Sequence, residues 1–170
     1  MKRLVFNFRD AIVYFRKTLL FCSIVLFLSI IAGIIIFSRE SITINPTSLS
    51  FTTIFKNNFL VALAIMISGI LTFGLFGNFI IIANGVVLGR VLIGVFNVYG
   101  IHPLIQYIGP HFIFEMTGLL FAYCISCETN KFFYNFRHTD LKIIRLKYNL
   151  VFLIVSILLL AIAAFIESNI

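Results

Sequence analysis

Long apolar runs separated by short polar breaks set the pattern of this chain. Thr18 to Phe37 carries no charged residue, and a run of about 20 residues at about 1.5 Å per residue matches the hydrocarbon thickness of a bilayer. A second apolar region, Phe59 to Val98, is interrupted by charge only at Arg90 and is about twice as long as one crossing requires. It therefore predicts a helical hairpin whose break falls near Gly74, Gly77 and Asn78, the turn-favouring residues in its middle. The resulting spans are 18–37, 59–76 and 79–98. Tyr99 to Pro110 is a short uncharged connection, Phe112 to Cys127 a fourth span and Leu150 to Ile166 a fifth. The long loop is Ser38 to Asn58, with Asn45-Pro46 as its turn signal. The predicted fold class is all-α, a polytopic membrane protein with five transmembrane helices in one domain over 1–170.

Charge then sets the expected orientation. Five cations precede the first span (Lys2, Arg3, Arg9, Arg16, Lys17) and five lie between spans four and five (Lys131, Arg137, Lys142, Arg145, Lys147). The first loop has only Arg39 and Lys56, and the third has none. The positive-inside rule places the N-terminus in the cytoplasm and the C-terminus outside. Both basic regions interleave cations with apolar residues. Leu4, Phe8, Ala11, Ile12 and Phe15 follow helical spacing while Arg9, Arg16 and Lys17 can reach headgroups, which predicts an interfacial amphipathic helix. The stretch KFFYNFRHTDLKIIRLKY predicts a second. The partner implied is the bilayer, with anionic lipid at the cytoplasmic face. The excess of 13 Lys and Arg over 6 Asp and Glu does not point to nucleic acid, because the cations flank apolar runs and no nucleic-acid motif accompanies them. A signal peptide is disfavoured because the first apolar run has full-span length and no A-x-A site follows it.

Composition agrees with a multi-pass protein of the cell membrane. The hydrophobic fraction is 61% and the mean hydropathy +1.12, against about 45–50% apolar residues in soluble domains. Polar groups inside the apolar regions are correspondingly few: Asn78, Asn84, Arg90, His111 and Glu115. An intramembrane charge needs a partner or water. On the predicted topology Arg90 and Glu115 both lie toward the outer ends of their spans, so an Arg90 to Glu115 ion pair joining two helices is expected, with a polar substrate path as the alternative. His111 and Glu115, four residues apart, share a helical face, and Pro110 suits the first turn of that helix. A hydrogen-bonded His111 and Glu115 at the outer rim is favoured over a metal site, since the H-E-x-x-H order is absent and only His102 stands nearby.

Gly85-Val-Val-Leu-Gly89 lets helices approach closely, with packing inside the chain favoured over a homo-oligomer formed through Gly85 and Gly89. Asn84 is placed to bond across to a neighbouring helix. Cys22, Cys124 and Cys127 are expected as free thiols, because Cys124-Ile-Ser-Cys127 and His138 lack both a four-ligand zinc set and a thioredoxin-like context. No Ser-His-Asp arrangement, P-loop or acidic pair can be assembled, so neither an enzyme nor a cofactor is expected.

The run FKNNFLVALAIMISGILTFGLFGNFIIIANGVVLGRVLIG, followed by GPHFIFEMTGLLFAYCIS, resembles the stage II sporulation protein M family. The resemblance rests on Asn57 and Asn58 before span two, on Asn84, Gly85 and Gly89 in span three, and on Pro110, His111 and Glu115 opening span four. Phe112 stands where the family usually has glycine, and Arg90 lies outside the family pattern. The resemblance implies a membrane component rather than a catalyst. Founding members serve the engulfment machinery of sporulating bacteria and hold peptidoglycan-degrading partners. Short members occur in gene clusters for circular bacteriocins beside an ABC-type ATPase. The expectation for this chain is a non-enzymatic membrane subunit or scaffold assisting export, maturation or self-protection for a membrane-active peptide, with an ABC-type partner. The alternatives are an engulfment scaffold recruiting cell-wall hydrolases, and a small transporter or metal-dependent membrane enzyme using Arg90, His111 and Glu115.

Overall fold

A computed structural model describes residues 8–43, 49–137, 139 and 142–169. The helices are α1 (Phe8–Ile36), α2 (Phe51–Thr72), α3 (Leu75–Tyr99), a single turn α4 (Ile101–Pro103) leading into a π-helical turn (Leu104–Ile108), α5 (Gly109–Arg137) and α6 (Leu146–Glu167). Five of them are long and apolar enough to cross a membrane, and each of the predicted spans overlaps one.

The boundaries differ from the hydropathy pattern for local reasons. α2 starts two turns earlier than expected, inside the predicted loop. The Ser50 side chain caps it by accepting the Thr53 N–H at 3.4 Å, and Phe51, Phe55 and Phe59 stack one turn apart, with ring centroids separated by 5.8 and 5.9 Å. Between α2 and α3 only Phe73 and Gly74 leave the helix, both left-handed at φ 56° and 85°, so Gly77 and Asn78 belong to the first turn of α3 rather than to the break.

Neither basic region forms a separate interfacial helix among the described residues. α1 runs unbroken from Phe8 because Ala11 and Phe15 are buried against protein, with Phe15 stacked on Phe152 at 4.7 Å. Likewise the predicted helix over 131–148 is divided between the last turns of α5 and the start of α6. Lys2, Arg3, Leu4, the Asn45-Pro46 turn and His138 lie outside the described residues.

α5 is the central helix. It touches α1, α2, α3 and α6, and 56% of its membrane window is buried against 22–33% for the others. Around its Leu119, Ala122 and Tyr123 pack Cys22 and Leu26 of α1, Ala62 and Ile65 of α2, Ile81 of α3 and Leu160 of α6. Large apolar side chains such as Leu20, Phe27, Leu71 and Leu158 remain exposed on the outside, as expected for helices whose solvent is lipid.

Five alternating crossings give the bundle two ends. The basic end carries the start of α1, the Phe73-Gly74 turn and the connection from α5 to α6. The opposite end carries residues 37–43, the start of α2, the α3 to α5 connection and the end of α6.

Candidate functional site

α1 and α3 run side by side in the same direction, and the sequence permits very close contact there. Gly85 lies on Ser29, and Gly89 lies on Ile30, Gly33 and Ile34. A Cβ at Gly33 would come within 3.0 Å of the Val86 Cα, and one at Gly89 within 2.9 Å of the Ile34 N. The G-x-x-x-G stripe is thus consumed inside one chain, and self-association through Gly85 and Gly89 would have to displace α1. Among the described residues Asn84 does not bond across to a neighbouring helix. Its Nδ2 donates to Ile80 O of its own helix at 2.8 Å.

This register locates Arg90. With Gly89 level with Ile34, Arg90 stands where α1 ends, and α3 continues past it to Tyr99, about 13 Å further. Residues 37–43 fold back along that extension. Ile42 N donates to Gly94 O at 3.1 Å, and Asn97 Nδ2 donates to Ser38 O and Glu40 O at 2.9 and 2.8 Å. Arg90 Nε donates to Glu40 Oε2 at 2.8 Å, Arg90 Nη2 meets Glu40 Oε1, and the guanidinium lies over the Phe37 ring at 5.2 Å. The hydrogen bonds from Arg90 hold the Glu40 carboxyl below its ordinary range. The expected Arg90 to Glu115 pair is therefore corrected: the partner is Glu40, from a loop whose one acidic residue the apolar pattern gave no reason to choose.

Pro110, His111 and Glu115 sit at the same end, on the first turns of α5. Pro110 has no N–H to continue the α-helical ladder, and the wider π turn, closed by Gly109 N–H on Leu104 O, carries the chain from α4 into α5 across that joint. The expected His111 to Glu115 hydrogen bond is absent among the described residues, where His111 Nδ1 is buried without a partner. Glu115 makes no hydrogen bond or ion pair among the described residues, and Glu167 at the end of α6 carries charge of the same sign. Arg90 joins neither residue by hydrogen bond or ion pair, so the four residues do not form a single cluster.

The best-connected polar site lies at the basic end and was not visible in the apolar pattern. Glu128 is 2% exposed. Its carboxylate accepts from Tyr14 Oη at 2.7 Å, Lys131 Nζ at 2.8 Å and the Arg145 backbone N–H at 3.1 Å. Lys131 Nζ also donates to Tyr14 Oη at 2.7 Å. One buried carboxylate thereby ties α1, α5 and the approach to α6. The signal available in the sequence was the i,i+3 spacing of Glu128 and Lys131, which only matters once α5 is known to extend past Cys127.

The cysteines are free. Cys127 packs against the central cluster that holds Cys22, whereas Cys124 belongs to the cluster shared by α1, α5 and α6.

A family model described as Stage II sporulation protein M matches residues 18–170, all but the first turns of α1. The chain belongs to that family. No curated protein and no solved structure matches it. Within this member of the stage II sporulation protein M family, Asn57 is exposed and Asn58 half-buried in the second turn of α2, at the same end as Pro110, His111 and Glu115. Phe112, in place of the usual glycine, packs against the central core cluster.

Proposed function

We propose that this protein is a non-enzymatic subunit of the cell membrane that holds other proteins at the bilayer, in the export, maturation or self-protection machinery of a membrane-active peptide. The observation that carries the reading is the uncharged stretch from Val91 to Phe114 at the end opposite the basic one. It runs past the end of α1 and leaves Phe96, Val98, Tyr99, Ile101, Ile105 and Ile113 exposed. Lipid covers the exposed apolar sides of the long helices, whereas Ile101 and Ile105 lie in the connection between α3 and α5, where exposed apolar side chains offer a surface to a protein partner. Arg90 is meanwhile engaged with Glu40, and Lys131 with Glu128.

The positive-inside rule puts the basic end in the cytoplasm. The apolar hairpin formed by the end of α3, its connection and the start of α5 then faces outward, where a peptide would meet it, and an ABC-type ATPase would dock at the basic end. The family's sporulation description favours a second reading, an engulfment scaffold that recruits cell-wall hydrolases to the same outer hairpin. Affinity purification of the tagged protein from membranes of its own host, with mass-spectrometric identification, separates them. An ATPase with a small apolar peptide supports the first reading and peptidoglycan hydrolases the second. Purification of the protein free of either class contradicts both.

A further inference from the structure

The stripes along which α2 and α5 meet end in polar groups. Ser68 Oγ and Ser126 Oγ lie 3.3 Å apart, and Gly69 lies against Ser126 O. The two helices run in the same direction, so going from that contact toward the end opposite the basic one brings Asn58 and Glu115 to one level, about 15 and 16 Å away. Asn58 shares its face of α2 with the buried Ile54, Ala62 and Ile65, and Glu115 shares its face of α5 with the buried Leu119, Ala122 and Ser126. Both side chains are half-buried and belong to the joint between the helices.

The protein itself leaves the Glu115 carboxyl unsatisfied. Glu128, further along the same helix, receives three donors, and Glu40 is paired with Arg90. Glu115 has no such partner among the described residues. From α2 it is faced by the uncharged Asn58, since Lys56 is exposed on the opposite side of that helix. The cation of α3, Arg90, is spent on Glu40, α1 reaches α5 through Cys22 and Leu26, and the π-helical turn carries no charge. α6 brings only Glu167, of the same sign.

The titratable groups follow one another inward. Ser156 Oγ donates to Gly118 O at 2.8 Å, which fixes the register of α6 on α5. Counted outward from that contact, Glu115 lies about 4–5 Å away, His111 about 10 Å and Glu167 about 16 Å. His111 Nδ1, midway, is a buried acceptor without a protein partner. A lone carboxylate out of water calls for a cation. A metal ion would need several ligands, and no group of His, Cys, Asp and Glu among the described residues is placed to supply them. A proton needs none beyond the carboxylate.

We infer that Glu115 is a proton-binding site inside the bundle, loaded from the end opposite the basic one by way of Glu167 and His111. The site gives the protein a chemical input that the scaffold reading does not use.

The test is labelling of the full-length protein in membrane vesicles with dicyclohexylcarbodiimide, a lipid-soluble reagent that attacks protonated carboxyls in apolar surroundings. The expected result is one adduct, located on Glu115 by tandem mass spectrometry and lost in Glu115→Gln, with the ion-paired Glu128 unmodified. The adduct is located in the parent protein, so the reading does not depend on the folding of the variant. Ser41→Cys, labelled with an impermeant maleimide, reports which side of the vesicle the Arg90 to Glu40 end occupies. Raising the pH from 5 to 9 on that side alone is expected to cut the labelling of Glu115 by about tenfold or more, and the same change on the other side to leave it unaltered. Absence of a Glu115 adduct, labelling of Glu128 in preference to it, labelling independent of pH, or labelling that follows the pH at the basic end would each overturn the inference.

Discussion

Replacing Glu128 by Gln is the sharpest perturbation of the fold, because one atom changes and three donors lose their anion. The carboxylate is 2% exposed and receives Tyr14 Oη, Lys131 Nζ and the Arg145 N–H. A glutamine carbonyl still accepts from one of them but introduces an N–H₂ group facing the Lys131 ammonium. Breaking a fully buried ion pair by removing one partner costs about 3–5 kcal/mol. The Lys131 side chain is 32% exposed and recovers part of its hydration, which lowers the expected loss to about 2–3 kcal/mol. For a chain of this size that corresponds to a fall in Tm of about 5–10 °C. The assay is a thermal melt followed with a thiol-reactive dye, since Cys22 and Cys124 are buried and become reactive only as the bundle opens. Lys131→Met alone leaves the Glu128 charge buried without its ammonium and lowers the melt as well. The double variant should lose less than the sum of the two. A Glu128→Gln protein that melts within about 1 °C of the parent would refute the assignment of Glu128 as the tie between α1, α5 and α6.

Gly89→Leu would set a side chain against the backbone of Ile30, Gly33 and Ile34; the expected result is loss of a monodisperse species on size exclusion, while Val87→Leu on the exposed side of α3 leaves it intact. The Arg90 to Glu40 clamp carries a pH dependence of definite sign. Because the folded Glu40 pKa is lowered from 4.5, the contribution of the clamp is complete above that value and is lost as pH falls through the lower folded one. A spin label at Ser41 should gain mobility on acidification from pH 7 to pH 3 in the parent and be mobile throughout in Arg90→Leu. A pH-independent signal in the parent would remove the clamp from the account.

Hydropathy made the five crossings legible because each apolar run is long compared with the uncertainty of its ends. It could not mark those ends. The last turns of α5 and the first turns of α2 mix polar with aromatic residues, and their helical state depends on a serine cap, stacked phenylalanines and tertiary hydrogen bonds. For the same reason Glu128 escaped notice: with the fourth span ending at Cys127, it belonged to a loop. Arg90 was legible as a charge that needs a partner, but not which one: α3 extends past the end of α1 and carries Arg90 to the level of Phe37 and Glu40. The Gly85 and Gly89 stripe was legible as a close helix contact, and α1 as its occupant emerged only from the packing. His111 and Glu115 share a helical face as their spacing requires, but spacing alone does not make a hydrogen bond.

The uncharged connection from α3 to α5 is the surface proposed to receive a protein partner. Site-specific photocrosslinking in host membranes tests it directly, with a photoreactive residue at Ile101 or Ile105 and, for comparison, at Leu20, which is equally exposed on the side of α1. A discrete adduct is expected from positions 101 and 105, identified by mass spectrometry as a membrane-active peptide or a cell-wall hydrolase, with lipid alone captured at position 20. Lipid adducts alone at all three positions would contradict it.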